Sequence, residues 1–262
     1  MTTSITPNKW KRVLRGAAVA AIWIAAWQLL AMAIGREVLL ASPVRVILKL
    51  GQLAREGAFW ASVSTSLLRI MAGFLMGVVI GALLAAAMYR FPFVRALFSP
   101  IVGVMKATPV ASFMLLALLW LTTGLVPGFC ALVMVLPVVC GNVLEGLGQM
   151  DVQLCEMAMI FRMRGWRRLV YLTIPSVMPY FMAGAQTSIG LAWKAGIAAE
   201  VLCTPKGSLG QRLYESKIYL DTPSMFAWTA VVVITSILLE KLFLFFFRRI
   251  PDLQSRHRGE TK

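Results

Sequence analysis

Ionisable side chains lie inside several long apolar segments of this sequence, where a charge is costly. Lys106, Lys194 and Glu200 are the candidates for a functional role, whereas Lys241, next to Glu240 near the inner end of the last segment, is expected to extend to the interface. A charged residue is kept in such a segment either because it lines a path for a polar solute or because it pairs with another polar group. A lysine that faces a path would favour an anion. Pairing with a backbone carbonyl or a carboxylate is the alternative for both candidate lysines, and contact with water or an arginine is the alternative for Glu200.

Enzymatic chemistry has little material in this chain. The single histidine, His257, lies in a polar tail, and neither an acid pair nor a metal-binding cluster has suitable spacing. The 4 cysteines form no C-x-x-C pair and are expected to be small buried apolar residues. The phosphate-binding pattern G-x-x-x-x-G-K-[ST] is also absent. We therefore predict a protein that is not an enzyme and that holds no metal or cofactor of its own.

A basic segment with aromatic residues interrupts the apolar sequence between Glu156 and Pro175. It reads EMAMIFRMRGWRRLVYLTIP. Residues 152–161 are predicted to form a short helix with an apolar face, and Gly165 permits a break after it. Trp166 supplies an anchor ring for a membrane interface, and Pro175 is suited to the start of the next long helix.

The residues of this segment are compatible with two roles. A short helix that ends in a glycine turn is suited to bind in a groove on a partner protein. Alternatively, Arg162 and the arginines that follow it hold an interfacial helix on lipid headgroups. The residue chemistry by itself favours neither role.

Composition indicates that lipid, rather than a soluble core, surrounds most of the chain. Hydrophobic residues make up 59% of the sequence and charged residues 14%, with a mean hydropathy of +0.78. A soluble domain carries about 25% charged residues, and a membrane span needs about 20 apolar residues. We predict an all-α polytopic membrane helix bundle of about six transmembrane helices, at residues 14–34, 67–88, 98–121, 126–144, 176–200 and 225–247.

The basic residues predict how this bundle is oriented. The formal net charge is +15, but most Lys and Arg residues flank apolar segments, which fits the positive-inside rule rather than nucleic-acid binding. With the N-terminus inside, the cytoplasmic pieces hold 15 Lys and Arg residues and the outer pieces hold 7. We therefore predict that both termini and the segment between Glu156 and Pro175 are cytoplasmic.

Small residues mark one face of the predicted second span. Gly73, Gly77 and Gly81 follow one another at steps of four residues. This spacing places them on one helix face, where another helix can approach closely in lipid. Packing inside the bundle is the favoured interpretation, and a subunit interface or a transport path is the alternative.

Two further helices are predicted outside the spans. Residues 42–60 are amphipathic but too interrupted to span, and Pro43 is suited to a helix start. A second short helix is predicted around residues 209–217, within a loop that is rich in turn residues. Both are expected on the outer side of the bundle.

The segment between Glu156 and Pro175 resembles the cytoplasmic loop of permease subunits in ATP-binding-cassette (ABC) importers. The pattern of that family is Glu-Ala-Ala, three residues, Gly, nine residues, then Ile-x-Leu-Pro. On this register Glu156, Ala158 and Pro175 match, and Met157 replaces the first alanine.

The main departure from the family pattern is Arg162, which replaces the glycine. Gly165 lies three residues later and is expected to supply the turn instead. Trp166 falls where many relatives also have tryptophan.

The resemblance extends over roughly residues 40–250 and is closest to the nitrate/sulfonate/taurine-type permeases. The stretches that carry it are LASPVRV, SLLRIMAGFLMGVVIG, ATPVASFMLLALLWL, AWKAGIAAEVL and DTPSMFAW. The resemblance implies a type I importer transmembrane domain over residues 14–250, between a cytoplasmic N-terminal segment, residues 1–13, and a polar cytoplasmic tail, residues 251–262. It also implies a multi-pass location in the plasma membrane of a prokaryote.

The resemblance further implies partners and a substrate class. Two permeases, here expected as a homodimer, form the path, and the loop of each, at residues 152–168, contacts a cytoplasmic ATPase subunit that binds the ATP. An extracytoplasmic binding protein delivers the substrate, which is expected to be a small anion or a sulfonate-like solute. The alternative is a stand-alone secondary carrier or channel, which would need inverted repeats or coupling-ion carboxylates near the midplane. The sequence shows no repeat and few central acids.

Overall fold

The secondary structure of the chain is α-helical. The computed structural model describes residues 9–163 and 165–248, and in these ranges it contains no β-strand, which confirms the predicted all-α class. The helices are α1 (Lys9–Ile34), α2 (Pro43–Leu53), α3 (Gly57–Arg90), α4 (Pro92–Ala107), α5 (Val110–Ala117), α6 (Val126–Gly148), α7 (Val152–Ile160), α8 (Trp166–Arg168), α9 (Ile174–Cys203), α10 (Leu209–Ile218) and α11 (Thr222–Arg248). A π-helical turn, Leu169–Thr173, joins α8 to α9.

Within the described residues, four single helices are long and apolar enough to cross a membrane: Gly16–Ile34 within α1, all of α3 and α6, and Thr222–Phe245 within α11. The span predicted at 176–200 forms α9, a 30-residue helix that does not meet the same criterion of apolarity. Its most polar residues include Lys194 and Glu200. Because most of one long face of α9 is buried against protein, its sequence does not need the apolarity of a lipid-facing helix.

The span predicted at 98–121 is not a single straight helix. It is divided into α4 and α5, which are bent by 105° at the break between Ala107 and Val110. Pro109 causes the break because its ring disfavours helical backbone in the preceding residue, and Thr108 is extended, with ψ 130°. Pro100, the other proline in this stretch, lies inside α4 without ending it.

The chain divides into two compact units. The first comprises Met1–Trp60 and Arg212–Val231. In it, the ring of Phe59 stacks on that of Trp228 with centroids 5.2 Å apart, and Lys49 on α2 forms an ion pair with Asp221 at 3.7 Å. Asp221 also caps the start of α11, because its Oδ1 accepts a hydrogen bond from the backbone N–H of Ser224 at 3.1 Å.

The second unit comprises Ala61–Gln211 and Val232–Lys262, and α6 and α9 form its centre. The glycine face of α3 lies against α6. A Cβ at Gly73 would overlap the backbone of Gly128, and one at Gly81 would lie 2.8 Å from the carbonyl oxygen of Leu136. The two helices therefore approach at a distance that only glycine permits at these positions.

The predicted polar tail, residues 251–262, and residues 1–8 of the predicted N-terminal segment lie outside the described residues. The predicted outer helices correspond to α2 and α10, but α2 ends at Leu53 and the rest of the 42–60 stretch leads into α3. The long helix α3 thus begins ten residues before the span predicted from hydropathy.

Candidate functional site: the 151–175 segment and the polar residues of the second unit

The first part of the 151–175 segment, which lies entirely in the second unit, is the short helix α7. Asp151 caps its start, since its Oδ1 accepts a hydrogen bond from the N–H of Gln153 at 2.8 Å. At the other end, the N–H of Met163 donates to the carbonyl of Ala158 at 2.8 Å and the N–H of Arg162 donates to that of Met159 at 3.0 Å. This pair of bonds is a Schellman motif, and it closes the helix with one residue in the left-handed region.

The left-handed residue is Arg162, with φ 51°, so the prediction that Gly165 takes over the turn from it is wrong. Arg162 occupies the position where the family pattern has glycine, and its backbone adopts the conformation that glycine adopts most easily. Gly165 makes a second, separate turn, with φ 55° and ψ −124°. The loop therefore keeps the turn at the family position in spite of the substitution.

The helix after the loop does not begin at Pro175, as predicted, but nine residues earlier. α8 and the π-helical turn run into α9 without a break, so one helical rod extends from Trp166 to Cys203. Pro175 lacks an N–H, which would interrupt the bonding of a regular α-helix at this point. A wider π-turn precedes the proline and is closed by a hydrogen bond from the N–H of Ile174 to the carbonyl of Leu169. This turn accommodates Pro175 inside the rod.

The surface of the segment is unusually apolar for a connection between long helices. Ala158 is 3% exposed, whereas Ile160 is 78% and Trp166 75% exposed. Glu156 and Arg162 are also exposed. The other large apolar side chains exposed here are Val152, Leu154, Met157, Met159, Phe161, Leu169, Tyr171 and Ile174. Such a patch beside arginines is suited to contact with a protein groove or a membrane surface.

The two candidate lysines, Lys194 and Lys106, differ from Glu200 in their surroundings. Lys194 is exposed on α9, although its neighbours Trp193 and Ala195 are buried. The exposed residues Ala183, Thr187 and Ala198 share its face at helical spacing, so small side chains lie on both sides of the lysine along this face. Lys106 is exposed at the end of α4, and a Cβ at Gly141 on α6 would lie 3.0 Å from its Nζ.

Glu200, by contrast, has no exposed surface. Its Oε2 accepts hydrogen bonds from the Oγ of Ser66 at 2.7 Å and from the N–H of Gly210 at 3.1 Å. Arg69, one helical turn after Ser66, is near enough to attract the carboxylate, and its Nη2 donates to the carbonyl of Lys206 at 3.4 Å. The sequence analysis allowed for an arginine beside Glu200 without identifying Arg69, and it missed Ser66 and Gly210. The signal in the sequence was two polar residues, Ser66 and Arg69, within one turn at the start of an apolar stretch.

Comparison with known proteins identifies the family. Residues 77–252 match the family described as "Binding-protein-dependent transport system inner membrane component". The chain belongs to this family, the permease subunits of ABC importers.

Individual relatives agree with this membership. The chain is 26% identical over 239 residues to a probable ABC transporter permease protein of Brucella abortus strain 2308, covering 90% of this chain and 94% of the relative. It is 20% identical over 254 residues to the putative aliphatic sulfonates transport permease protein SsuC of Bacillus subtilis strain 168, covering 94% and 90%. The fold is similar to a crystal structure of an amino acid ABC transporter with histidines, with a TM-score of 0.61 and 16% identity over 78% of this chain and 97% of that chain.

Proposed function

We propose that this permease forms the solute path of an ATP-driven importer as a homodimer, and that its 151–175 segment transmits work from a cytoplasmic ATPase subunit. In this proposal α7 and the turn at Arg162 sit in a groove of the ATPase. An extracytoplasmic binding protein delivers the solute to the opposite face. ATP binds to the ATPase subunit, and this chain holds no nucleotide.

The observation that carries the proposal is the apolar surface of α7. The short helix α7 lies outside the long apolar helices, and Ile160 and Phe161 at its end are exposed. A partner protein would bury this exposed apolar surface. The family to which the chain belongs is named for transport that depends on a binding protein, and its ABC relatives supply the expectation of an ATPase partner. The rod that begins at Trp166 offers a direct mechanical connection from this surface to the helix bundle.

The same proposal places the 151–175 segment and both termini in the cytoplasm of a prokaryotic cell. The family description specifies an inner membrane component. The excess of Lys and Arg in the pieces assigned to the inner side supports this orientation.

We propose a small anion or a sulfonate-like compound as the solute. Lys194 supports this choice. It lies on the exposed face of α9 with Ala183, Thr187 and Ala198, and among the described residues it is the only charged one on that face. The relative SsuC is named for aliphatic sulfonates, whereas the structural neighbour is an amino acid transporter. The membership of the family alone therefore does not decide between these solutes.

Co-purification of the ATPase subunit with the membrane subunit tests the docking. Ile160→Asp places a charge in the apolar patch and should abolish co-purification. Gln153→Asp is the matched control, since it adds the same charge at another exposed position of α7 and should retain the ATPase. Both variants should insert in the membrane. Retention of the ATPase by Ile160→Asp would contradict the proposed contact.

Reconstitution of the purified chain in liposomes distinguishes this function from a stand-alone carrier or channel. Uptake of ethanesulfonate should require the ATPase, the binding protein and ATP together. Uptake by the chain alone would favour the carrier.

A further inference from the structure

The start of α10 is capped by residues from two other helices. The N–H of Leu209 donates to the Oγ of Ser66 at 2.8 Å, and the N–H of Gly210 donates to Oε2 of Glu200 at 3.1 Å. The N–H of Gln211 donates to the Oγ of Ser208, the local cap, at 3.0 Å. The first N–H groups of a helix have no partner within it. In α10 these three are satisfied, and two of the bonds bind the helix to α3 and α9.

Steric fit strengthens this connection. A Cβ at Gly210 would overlap both the Cβ and the backbone carbonyl carbon of Glu200. The first turn of α10 therefore lies directly against the end of α9. The partial positive charge at the start of a helix also favours a carboxylate at this place.

The side chain of Glu200 is held by α3 as well. Ser66 donates to Oε2, and Arg69 lies on the same helix one turn later. The Oε1 of Glu200 and the Nη1 of Arg69 are both buried without a direct hydrogen-bond partner among the described residues. Glu200 is thus the residue at which α3, α9 and α10 meet.

α9 connects this junction to the 151–175 segment. The helical rod from Trp166 to Cys203 is about 55 Å long at 1.5 Å per residue. One end leads out of the loop that closes α7, and the other end carries Glu200. Both ends belong to the second unit.

We propose that Glu200 is a positioning residue that makes the start of α10 move with α9. A displacement of the 151–175 segment by the ATPase then reaches the extracytoplasmic end of the permease, where α10 begins. This inference rests on the proposed function, and the carboxylate acts in it through its hydrogen bonds and not as a group that contacts the solute.

Amide hydrogen exchange in the complex of permease and ATPase tests the inference without knowledge of the solute. The complex is compared before and after trapping with ATP and vanadate. In the wild type, exchange should change both in the 151–175 segment and at Leu209–Gln211. In Glu200→Ala, the Gly210 amide should exchange about tenfold faster, because its hydrogen bond to the Glu200 side chain is lost. Its response to nucleotide should disappear, while that of the 151–175 segment remains.

Two matched variants separate positioning from mere stability of α10. Ser208→Ala removes the local cap but leaves the bonds to Ser66 and Glu200, so the response at Leu209 and Gly210 should persist. Glu200→Gln keeps an oxygen that accepts both bonds and should restore the response. Loss of the response in Ser208→Ala to the extent seen in Glu200→Ala would overturn the positioning role. So would a normal response in Glu200→Ala, or a Glu200→Gln variant as defective as alanine.

The wild-type result distinguishes this inference from the proposed function. A response in the 151–175 segment with none at Leu209–Gln211 would overturn the role of Glu200 alone. Absence of any response in the 151–175 segment, in a complex that traps nucleotide, would contradict the proposed function and with it this inference.

Discussion

The backbone N–H of Met163 donates to the carbonyl oxygen of Ala158 at 2.8 Å, a bond that closes α7 and holds Arg162 in the left-handed region. The chain therefore turns at the position where the family pattern has glycine. An L-residue in this conformation costs about 1–2 kcal/mol.

Replacement of Arg162 by glycine should therefore be tolerated. Arg162→Gly removes the strain and should raise the free energy of unfolding by up to about 1 kcal/mol, net of the greater backbone entropy of glycine. Gly165→Ala should cost about 1–3 kcal/mol, because φ 55° with ψ −124° is open only to glycine. Thermal unfolding and ATPase co-purification measure both effects.

Gly148→Ala is the control for these two variants. Gly148 ends α6 and, like Gly165, has open space around a Cβ, but its φ does not lie in the left-handed region. The Gly148→Ala variant should retain the ATPase. If Gly165→Ala were as well tolerated as Gly148→Ala, the turn at Gly165 would not matter for docking.

The close contact between α3 and α6 predicts a strong effect of one methyl group. A Cβ at Gly77 would lie 2.8 Å from the Cβ of Val135, so Gly77→Ala should destabilise the detergent-solubilised protein by about 1–3 kcal/mol. Gly103→Ala makes the same change in α4, where no atom lies within 4 Å of the added group, and should leave the unfolding temperature unchanged or higher. Equal unfolding temperatures for the two variants would argue against tight packing at Gly77.

The helices and the apolar face of the loop could be predicted from the sequence, because both depend on local periodicity. The start of α3 could not, since the polar residues Ser62 and Ser66 end an apolar pattern but are buried in the folded chain. Pro175 resembles a helix start in sequence, but a helix runs through it after a π-turn, which no local pattern predicts. The partners of Glu200 come from residues 66 and 210, and no local pattern connects positions so far apart.

The exposed lysine on α9 predicts a charge effect on uptake. In the reconstituted importer, Lys194→Gln should lower ethanesulfonate uptake by about tenfold, the size of one lost charge contact of ~1.4 kcal/mol, while Lys194→Arg should retain most of it. Lys241→Gln on α11 is the control, since that side chain is expected to extend to the interface. Full uptake by Lys194→Gln would remove this residue from the path.

Asp221 predicts a pH dependence of stability in the first unit. Burial raises the pKa of its carboxyl group, but hydrogen bonds from Ser224 and the charge of Lys49 outweigh this and hold the pKa below the ordinary 3.8. The ionised form therefore stabilises the fold above that pH, and the contribution is lost as the pH falls through the lowered pKa. Asp221 lines a cavity of about 180 Å³, and the other charged residues that line this cavity are Glu56, Arg212 and Glu215.

The unfolding temperatures of the wild type and Asp221→Ala measure this contribution. The difference should be largest near neutral pH and should shrink at pH values below 3.8. Lys49→Met keeps the cap of α11, so it should lower the unfolding temperature by less than Asp221→Ala does. A gap between wild type and Asp221→Ala that is independent of pH would show that the charge of Asp221 does not matter.

Labelling of a cysteine at position 166 tests the central claim most directly. Trp166 is 75% exposed, and Cys155 is the native cysteine that is partly exposed in the described chain, so Trp166→Cys is made together with Cys155→Ser. A membrane-impermeant thiol reagent should label this protein in inside-out vesicles and leave it unlabelled in intact cells. Labelling from outside intact cells would place the 151–175 segment on the wrong side of the membrane for an ATPase and would contradict the account.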